Sequence, residues 1–403
     1  MSKNGKKTTS FRDRFLARQE VKEDQGPEPE WRSRIMALLS AQALRRNYEA
    51  IQALVPEQAI LPMVKANAYG HGASWASRIL IGMPGLYALG VATLEEGREL
   101  RLELGAAAKS VRIMIFSGTV PWSEEKGQFC EKFSLTPVIA SDSDWQSFFK
   151  NGWPDKISYE LKFNTGMNRL GISPGLSKSI SRNLKEKPAE WHPHGVFTHF
   201  AIAEDPTHKL TKAQRASFVE VRKDFANACP STHFHAANSA GIWNAKLLGL
   251  DGLTDLVRPG LSLYGVTPWA GAPLRGLQSV MTLQARVIQT RLLKRGESMG
   301  YGAAYVATES DQWTAIISAG YADGLMRSWT NRGFVSLDLK EERFLGIVSM
   351  DLSGISCTSQ TRVGDWAQIL GPQVDIWAQA KAAGTIPYEL LTSVGSRVQR
   401  IYG

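Results

Sequence analysis

Cysteine is scarce: three residues, Cys130, Cys229 and Cys357, lie far apart in a chain of 403. An odd, widely spaced set excludes a disulfide framework and suits a reducing cytoplasm. No window holds eighteen uninterrupted apolar residues, so a membrane-spanning helix is not expected. The first thirty residues, "MSKNGKKTTSFRDRFLARQEVKEDQGPEPE", lack the apolar core of a secretory signal and read as a flexible basic extension, residues 1–30. Repeats and low-complexity tracts are missing as well. The formal net charge is +9, but Lys and Arg are scattered among acids and no basic helix is interleaved with aromatics. That pattern argues against a nucleic-acid module and fits a basic protein handling a small anion, or a surface bias without function.

What the chain has is alternation. Leu44, Tyr48, Ile51 and Val55 fall at helical spacing after Ser40, a capping residue, and before Pro56, a stop. Eight short apolar runs follow, each ending in a polar loop: "AILPMVK", "LYALGVAT", "VRIMIFSG", "LTPVIA", "ISYELKFN", "HGVFTHFA", "HFHAANS" and "TDLVRPGLSLYG". Helical stretches separate most of them, though the one after "LTPVIA" is short. Eight strands alternating with helices predict a (β/α)8 TIM-type barrel over residues 31–270. Beyond residue 270, runs such as "MTLQARVIQTRLLK", "WTAIISAGYA", "FVSLDL" and "DWAQILG" alternate with glycine turns. A mostly β C-terminal domain over 271–403 is expected, with one final helix near Ile386 to Val394.

In a parallel barrel the strand C-termini face the reactive end, so residues just past each strand come first. Lys65 ends the first run, between Val64 and Ala66. Burial there would lower its pKa and suit a Schiff base with an aldehyde; taken alone it reads sooner as a surface lysine opening a loop. The last two strand ends carry "AANSAG" and "RPGLSLYG". Asn238, Ser239, Gly260 and Leu261 offer a hydroxyl and free backbone amides where barrels often hold phosphate. A phosphate site and a lysine together point to pyridoxal 5'-phosphate. "HPHGVFTH" invites a metal reading, but on a strand His192 and His194 share one face and His199 takes the other, with no acid or cysteine to complete a set; no metal is expected.

In order along the chain, "VKANAYGHG", "GMNRLG", "THFAIAE", "NSAG", "RPGLSLYG", "YGAAY", "GYADG", "SMD" and "TIPYE" resemble the motif series of the alanine racemases, fold-type III pyridoxal-phosphate enzymes, from about Ala41 to Tyr402. The resemblance implies a head-to-tail homodimer in which each site borrows residues from the partner's β domain. It implies that Lys65 carries the cofactor, that Tyr69, Ser239, Gly260, Leu261 and Tyr388 hold the phosphate, and that Arg258 faces the pyridine nitrogen. Arg169 would meet the cofactor's phenolic oxygen and the substrate carboxylate. Tyr301 would be the second base, delivered by the other subunit, with His199 and His235 in the hydrogen-bond chain behind Tyr301 and Arg258. Tyr321 and Met350 would stand at the substrate's access route, and Asp351 would support the dimeric site. The resemblance also implies a cytoplasmic enzyme making D-alanine for peptidoglycan.

Those residue types suit the chemistry. Inverting a carbon needs proton removal on one face and delivery on the other. Free lysine and tyrosine titrate near ~10, so both must be depressed to work near neutrality. A guanidinium at the pyridine nitrogen leaves it unprotonated, which weakens the electron sink and limits side reactions. A decarboxylase of this fold would carry an acid there, and a non-catalytic single-barrel carrier would lack the β domain. A serine or broad-specificity racemase remains the near alternative. Without the motif order, Tyr301, Tyr321 and Met350 read as ordinary β-domain residues, and Arg258 as a partner of Asp255. Two departures from the family stand out: Asn164, where an aspartate is common two residues after Lys162, a lysine that in many members is carbamylated; and Ser349, where a cysteine is common.

Overall fold

Ser40 accepts the amide of Ala43 at 3.1 Å, and the helix it caps runs Ala41–Leu54, burying Leu44, Tyr48 and Ile51. This is the helix that the spacing predicts, ended just before Pro56. The computed structural model describes residues 34–108 and 110–403; the N-terminal extension expected at 1–30 lies outside the described residues.

The first strand, β1 (Ile35–Leu39), precedes that helix. Eight short parallel strands follow: β2 (Ala59–Ile60), β3 (Leu89–Val91), β4 (Ile113–Ile115), β5 (Leu135–Ile139), β6 (Glu160–Lys162), β7 (Gly195–Phe197), β8 (His233–His235) and β9 (Leu256–Val257). β3 to β8 form one parallel sheet in sequence order, and β2 pairs with β9. The ring closes through backbone bonds. Ile60 and Gly90 link β2 to β3, while the Asp255 amide reaches the Phe234 carbonyl at 2.7 Å and joins β9 to β8. Each of the eight apolar runs supplies one strand, and their side chains merge with the surrounding helices into one core. A strand buried on both sides reads as a continuous apolar run, as Leu135–Ile139 does.

The second domain is built on β10 (Met281–Leu293), followed by β11 (Ser298–Met299), β12 (Tyr305–Val306), β13 (Gln312–Ile317), β14 (Phe334–Leu337), β15 (Lys340–Leu345), β16 (Ser353–Ser356), β17 (Trp366–Leu370) and β18 (Gln399–Tyr402). Its eight-stranded sheet has the order β13-β16-β15-β14-β17-β10-β1-β18. β1 therefore belongs here and not to the barrel, which corrects the expectation that residues 31–270 form the barrel alone. Its apolar "IMALL" pairs antiparallel with Met281–Ala285 on one side and parallel with β18 on the other. The sequence shows an apolar run there but not its distant partners. Two helices occur near the end, Ile376–Ala383, which was not expected, and Pro387–Thr392, inside the span expected for the final helix. Among the described residues no helix is long and apolar enough to cross a membrane.

Candidate active site

Lys65 follows β2 at the C-terminal mouth of the barrel, and the backbone behind it is unusual. Ala66, Asn67, Ala68 and Tyr69 all have φ between 50 and 54°, a turn of left-handed helix. Such a conformation costs about 1–2 kcal/mol per non-glycine residue. Two side chains hold it. Glu96 Oε1 accepts the Ala66 amide at 2.7 Å, while its Oε2 accepts Ala92 and Thr93 amides in a capping box. His71, wholly buried, places Nδ1 within 3.0 Å of the Ala68 carbonyl and 2.9 Å of that of Tyr69. The turn aims Lys65 and Tyr69 into the same space.

That space is a cavity of about 450 Å³ lined by Met63, Lys65, Tyr69, Ala92, Phe116, Ser117, Lys162, Arg169, Leu170, Phe197, His199, Asn238, Ser239, Arg258, Gly260, Leu261 and Tyr388. Lys65, Tyr69, Lys162, Arg169, His199, Asn238, Ser239, Arg258, Gly260, Leu261 and Tyr388, named from the sequence, are thus brought together. Tyr388 arrives from the helix Pro387–Thr392, in which Leu391 packs its carbonyl on Gly70. His235 lies behind the wall, with Nδ1 2.6 Å from Arg258 Nη1.

Arg258 is fixed by several acceptors: Thr198 O at 2.8 Å, Ala236 O at 3.1 Å and His199 Nδ1 at 3.2 Å, besides His235. It does not pair with Asp255, which instead accepts the Phe234 amide and meets Arg222. Burial lowers Arg258 to about 10, with Glu160 opposing the shift. His235 is pushed down to about 4, chiefly by burial, and His199 falls well below its usual value through burial and then Arg258, so both imidazoles are neutral at pH 7. Lys65 is lowered by burial and then by Arg169, with Glu96 opposing. Lys162 is lowered to about 8 by burial, Arg169 and Arg258. Amines depressed in this way are less charged near neutrality than ordinary lysines.

At the other end, Ser239 Oγ accepts the Gly260 amide at 3.1 Å and that of Ser262 at 3.4 Å. A Cβ on Gly260 would run into the Tyr69 hydroxyl, so glycine is required for that approach. The Ser262 hydroxyl is buried without a protein partner. Hydroxyls, backbone amides and an amine on a left-handed turn make a donor set that fits a phosphorylated aldehyde such as pyridoxal 5'-phosphate, the cofactor expected from the sequence.

Tyr301, Tyr321, Met350 and Asp351 are not in this cavity. Tyr301 is 73% exposed on a turn of the β domain, and Tyr321 and Met350 are exposed as well. The Tyr321 amide bonds the Ser349 carbonyl, Ala322 bonds that of Met350, and Asp351 pairs with Arg397 at 2.7 Å, so these three share one surface. Ser349 uses its hydroxyl to tie this loop to the Leu352 carbonyl at 2.5 Å. Asn164 organises the loop carrying Arg169: its Oδ1 accepts the amides of Gly166 and Asn168, at 3.3 and 2.9 Å. Of the histidines considered for metal, His192 bonds the Leu184 carbonyl.

Two residues escaped the sequence reading. Glu96 was legible through its capping-box spacing from Thr93, though not its second partner Ala66. Glu160 lies two residues before Lys162 on the same strand face, and an acid inside an apolar run is its only mark in the sequence.

A barrel that gathers a depressed lysine, hydroxyls and backbone amides at its mouth, joined to a β domain, is built to hold a small phosphorylated molecule. Sequence comparison makes it specific. Residues 39–268 match the alanine racemase N-terminal domain and residues 280–402 the alanine racemase C-terminal domain. The alanine racemase of Deinococcus radiodurans is 34% identical over 374 residues, covering 92% of this chain and 99% of that protein. The crystal structure of the biosynthetic alanine racemase from Pseudomonas aeruginosa is similar with a TM-score of 0.80 and 30% identity, over 92% of this chain and 99% of that one. The alanine racemase from Bartonella henselae, solved with covalently bound pyridoxal phosphate, gives 0.77 at 30% identity, over 92% and 100%. The chain belongs to the alanine racemase family of isomerases.

Proposed function

We propose that the protein interconverts L- and D-alanine with pyridoxal 5'-phosphate in the barrel-mouth cavity, by two bases contributed by two copies of the chain. The observation that carries this reading is the convergence of Lys65, Tyr69, Ser239, Arg169 and Arg258 on one cavity, together with the family membership. The bound cofactor would supply the electron-withdrawing ring that acidifies the amino acid's Cα–H. Lys65 would carry the cofactor and exchange a proton on one face of Cα. Its lowered pKa favours the uncharged amine that such a step needs.

Tyr69, Ser239, the amides of Gly260 and Leu261, and Tyr388 would hold the phosphate, with Asn238 beside them. Arg258 would face the pyridine nitrogen, held by His235 and His199, and Arg169 would bind the substrate carboxylate. Tyr301, exposed and absent from its own chain's cavity, would act as the second base in a homodimer. Tyr321, Met350 and Asp351 would border the shared site. Lys162, carrying a carbamate, would orient Arg169. The product D-alanine would serve peptidoglycan synthesis in the cytoplasm, a role for which the biosynthetic relative gives support.

The test is to incubate the protein with pyridoxal phosphate and L-alanine in heavy water. D-alanine carrying deuterium at Cα, lost on Lys65→Ala, is expected. A cofactor-loaded protein that leaves alanine untouched but inverts serine would move the reading to the neighbouring specificity, and no inversion of any amino acid would end it.

A further inference from the structure

Glu160 is a carboxylate sealed inside the barrel, with its side chain fully buried. It sits one layer beneath the cavity on β6, two residues before Lys162. Its Oε2 lies 2.7 Å from His235 Nε2, and its Oε1 accepts the Tyr87 hydroxyl at 3.2 Å. His235 passes the interaction on, because its Nδ1 lies 2.6 Å from Arg258 Nη1. A guanidinium only donates, so Nδ1 is the bare nitrogen and Nε2 carries the proton toward Glu160. The order carboxylate, imidazole, guanidinium is therefore fixed by hydrogen-bond chemistry.

The packing is arranged around this chain. Phe197 stacks on His235 with ring centroids 4.5 Å apart at 16°, and the same ring lies 5.0 Å beneath the Arg258 guanidinium. Gly195 leaves the room the acid needs: a Cβ there would sit 2.6 Å from Glu160 Cδ. On the cavity side the basic groups are Lys65, Lys162, Arg169 and Arg258, and no carboxylate lines the cavity to offset them. A buried cation without an opposite charge is costly, and removing its partner leaves that cost exposed.

We infer that Glu160 is a positioning residue for the proposed racemisation: acting through His235, it is the buried countercharge that keeps Arg258 a fixed cation at the floor of the cavity. This rests on the reading of that cavity as the racemase site. The electrostatics agree, since Glu160 opposes the burial shift on Arg258 and His235 is too weakly basic to carry a charge of its own. His235 then transmits the carboxylate's pull instead of cancelling it.

The experiment compares Glu160→Gln, which keeps the shape and removes the charge, with Glu160→Asp, which keeps the charge. Guanidinium NMR of the cofactor-free protein, with Arg258 assigned by Arg258→Lys, reads the positioning without substrate or cofactor. The expected result is slow Nη proton exchange in the wild type and in Glu160→Asp, and exchange at least about tenfold faster in Glu160→Gln. In the loaded enzyme, kcat should fall about 10- to 100-fold in Glu160→Gln with KM for alanine nearly unchanged, and Glu160→Asp should recover most of it. Unchanged Nη exchange in Glu160→Gln, or equal loss of kcat in both variants, overturns the inference. A wild type that racemises nothing overturns the proposed function instead, while the guanidinium exchange still decides the role of Glu160.

Discussion

Glu96 Oε1 accepts the backbone amide of Ala66 at 2.7 Å, one residue beyond Lys65. An acid from the helix after β3 thus secures the left-handed turn on which the lysine depends. The same carboxylate caps its own helix, so one side chain links local helix formation to the geometry of the site. Glu96→Ala is expected to destabilise the fold by about 1 kcal/mol through loss of the cap, the Ala66 amide being open to water, and to loosen the turn behind Lys65. Urea unfolding measures this, and pyridoxal phosphate titration should show weaker binding in the same variant.

Gly70 sits at φ +82° with the Leu391 carbonyl packed where a side chain would be. Gly70→Ala should lower stability by more than about 1 kcal/mol, since both the backbone conformation and the space are unsuitable. It should also shift the helix carrying Tyr388. Gly105, at φ +53° with open space around it, isolates the backbone contribution. Thermal unfolding should therefore show Gly70→Ala well below Gly105→Ala, and equal losses would mean that the Leu391 contact carries little.

Lys162 titrates at about 8 in the folded chain, lowered by burial and by the neighbouring arginines, against 10.5 for an ordinary lysine. The folded state therefore binds fewer protons than the unfolded state between those values. Stability should rise with pH across that window, and the cost of the buried charge is fully present below about pH 8. Lys162→Met should be more stable than the wild type at neutral pH in carbonate-free buffer, with the difference shrinking toward pH 10.5. Denaturant unfolding across that range gives the answer. A difference that grows with pH would reverse the assignment.

Tyr301→Phe keeps the ring and removes the hydroxyl with which this residue would move a proton. Racemisation should fall in both directions, whereas exchange of the Cα hydrogen for deuterium should persist from the enantiomer that presents it to Lys65. Retained racemisation at the wild-type rate would remove Tyr301 from the mechanism.

Much of this was legible in the sequence, for physical reasons that can be named. Barrel strands buried on both sides leave continuous apolar runs, so all eight could be read, and the residues following them could be placed at one mouth. What the sequence hid was long-range pairing. "IMALL" carries no mark of its partners 281–285 and 399–402, so β1 looked like part of the barrel. Ile376–Ala383 was missed because its Trp377, Ala378, Gln379 and Ala380 show no simple apolar stripe. The second set of residues, Tyr301, Tyr321, Met350 and Asp351, could be named only through motif order, because one chain never brings them to the cavity. Glu160 escaped because a buried acid inside a strand means nothing until its histidine, 75 positions away, is known.

The claim on which most depends is that each site is built by two chains, and mixed dimers test it most directly. Lys65→Ala and Tyr301→Phe, each inactive by itself, are combined, unfolded and refolded together. In a mixed dimer the two lesions fall in one site and the other site is intact. Random pairing should then restore about a quarter of the wild-type alanine racemisation per chain. Activity no greater than the sum of the separate variants, in a mixture shown to contain mixed dimers, would contradict a shared site and confine the chemistry to a single chain.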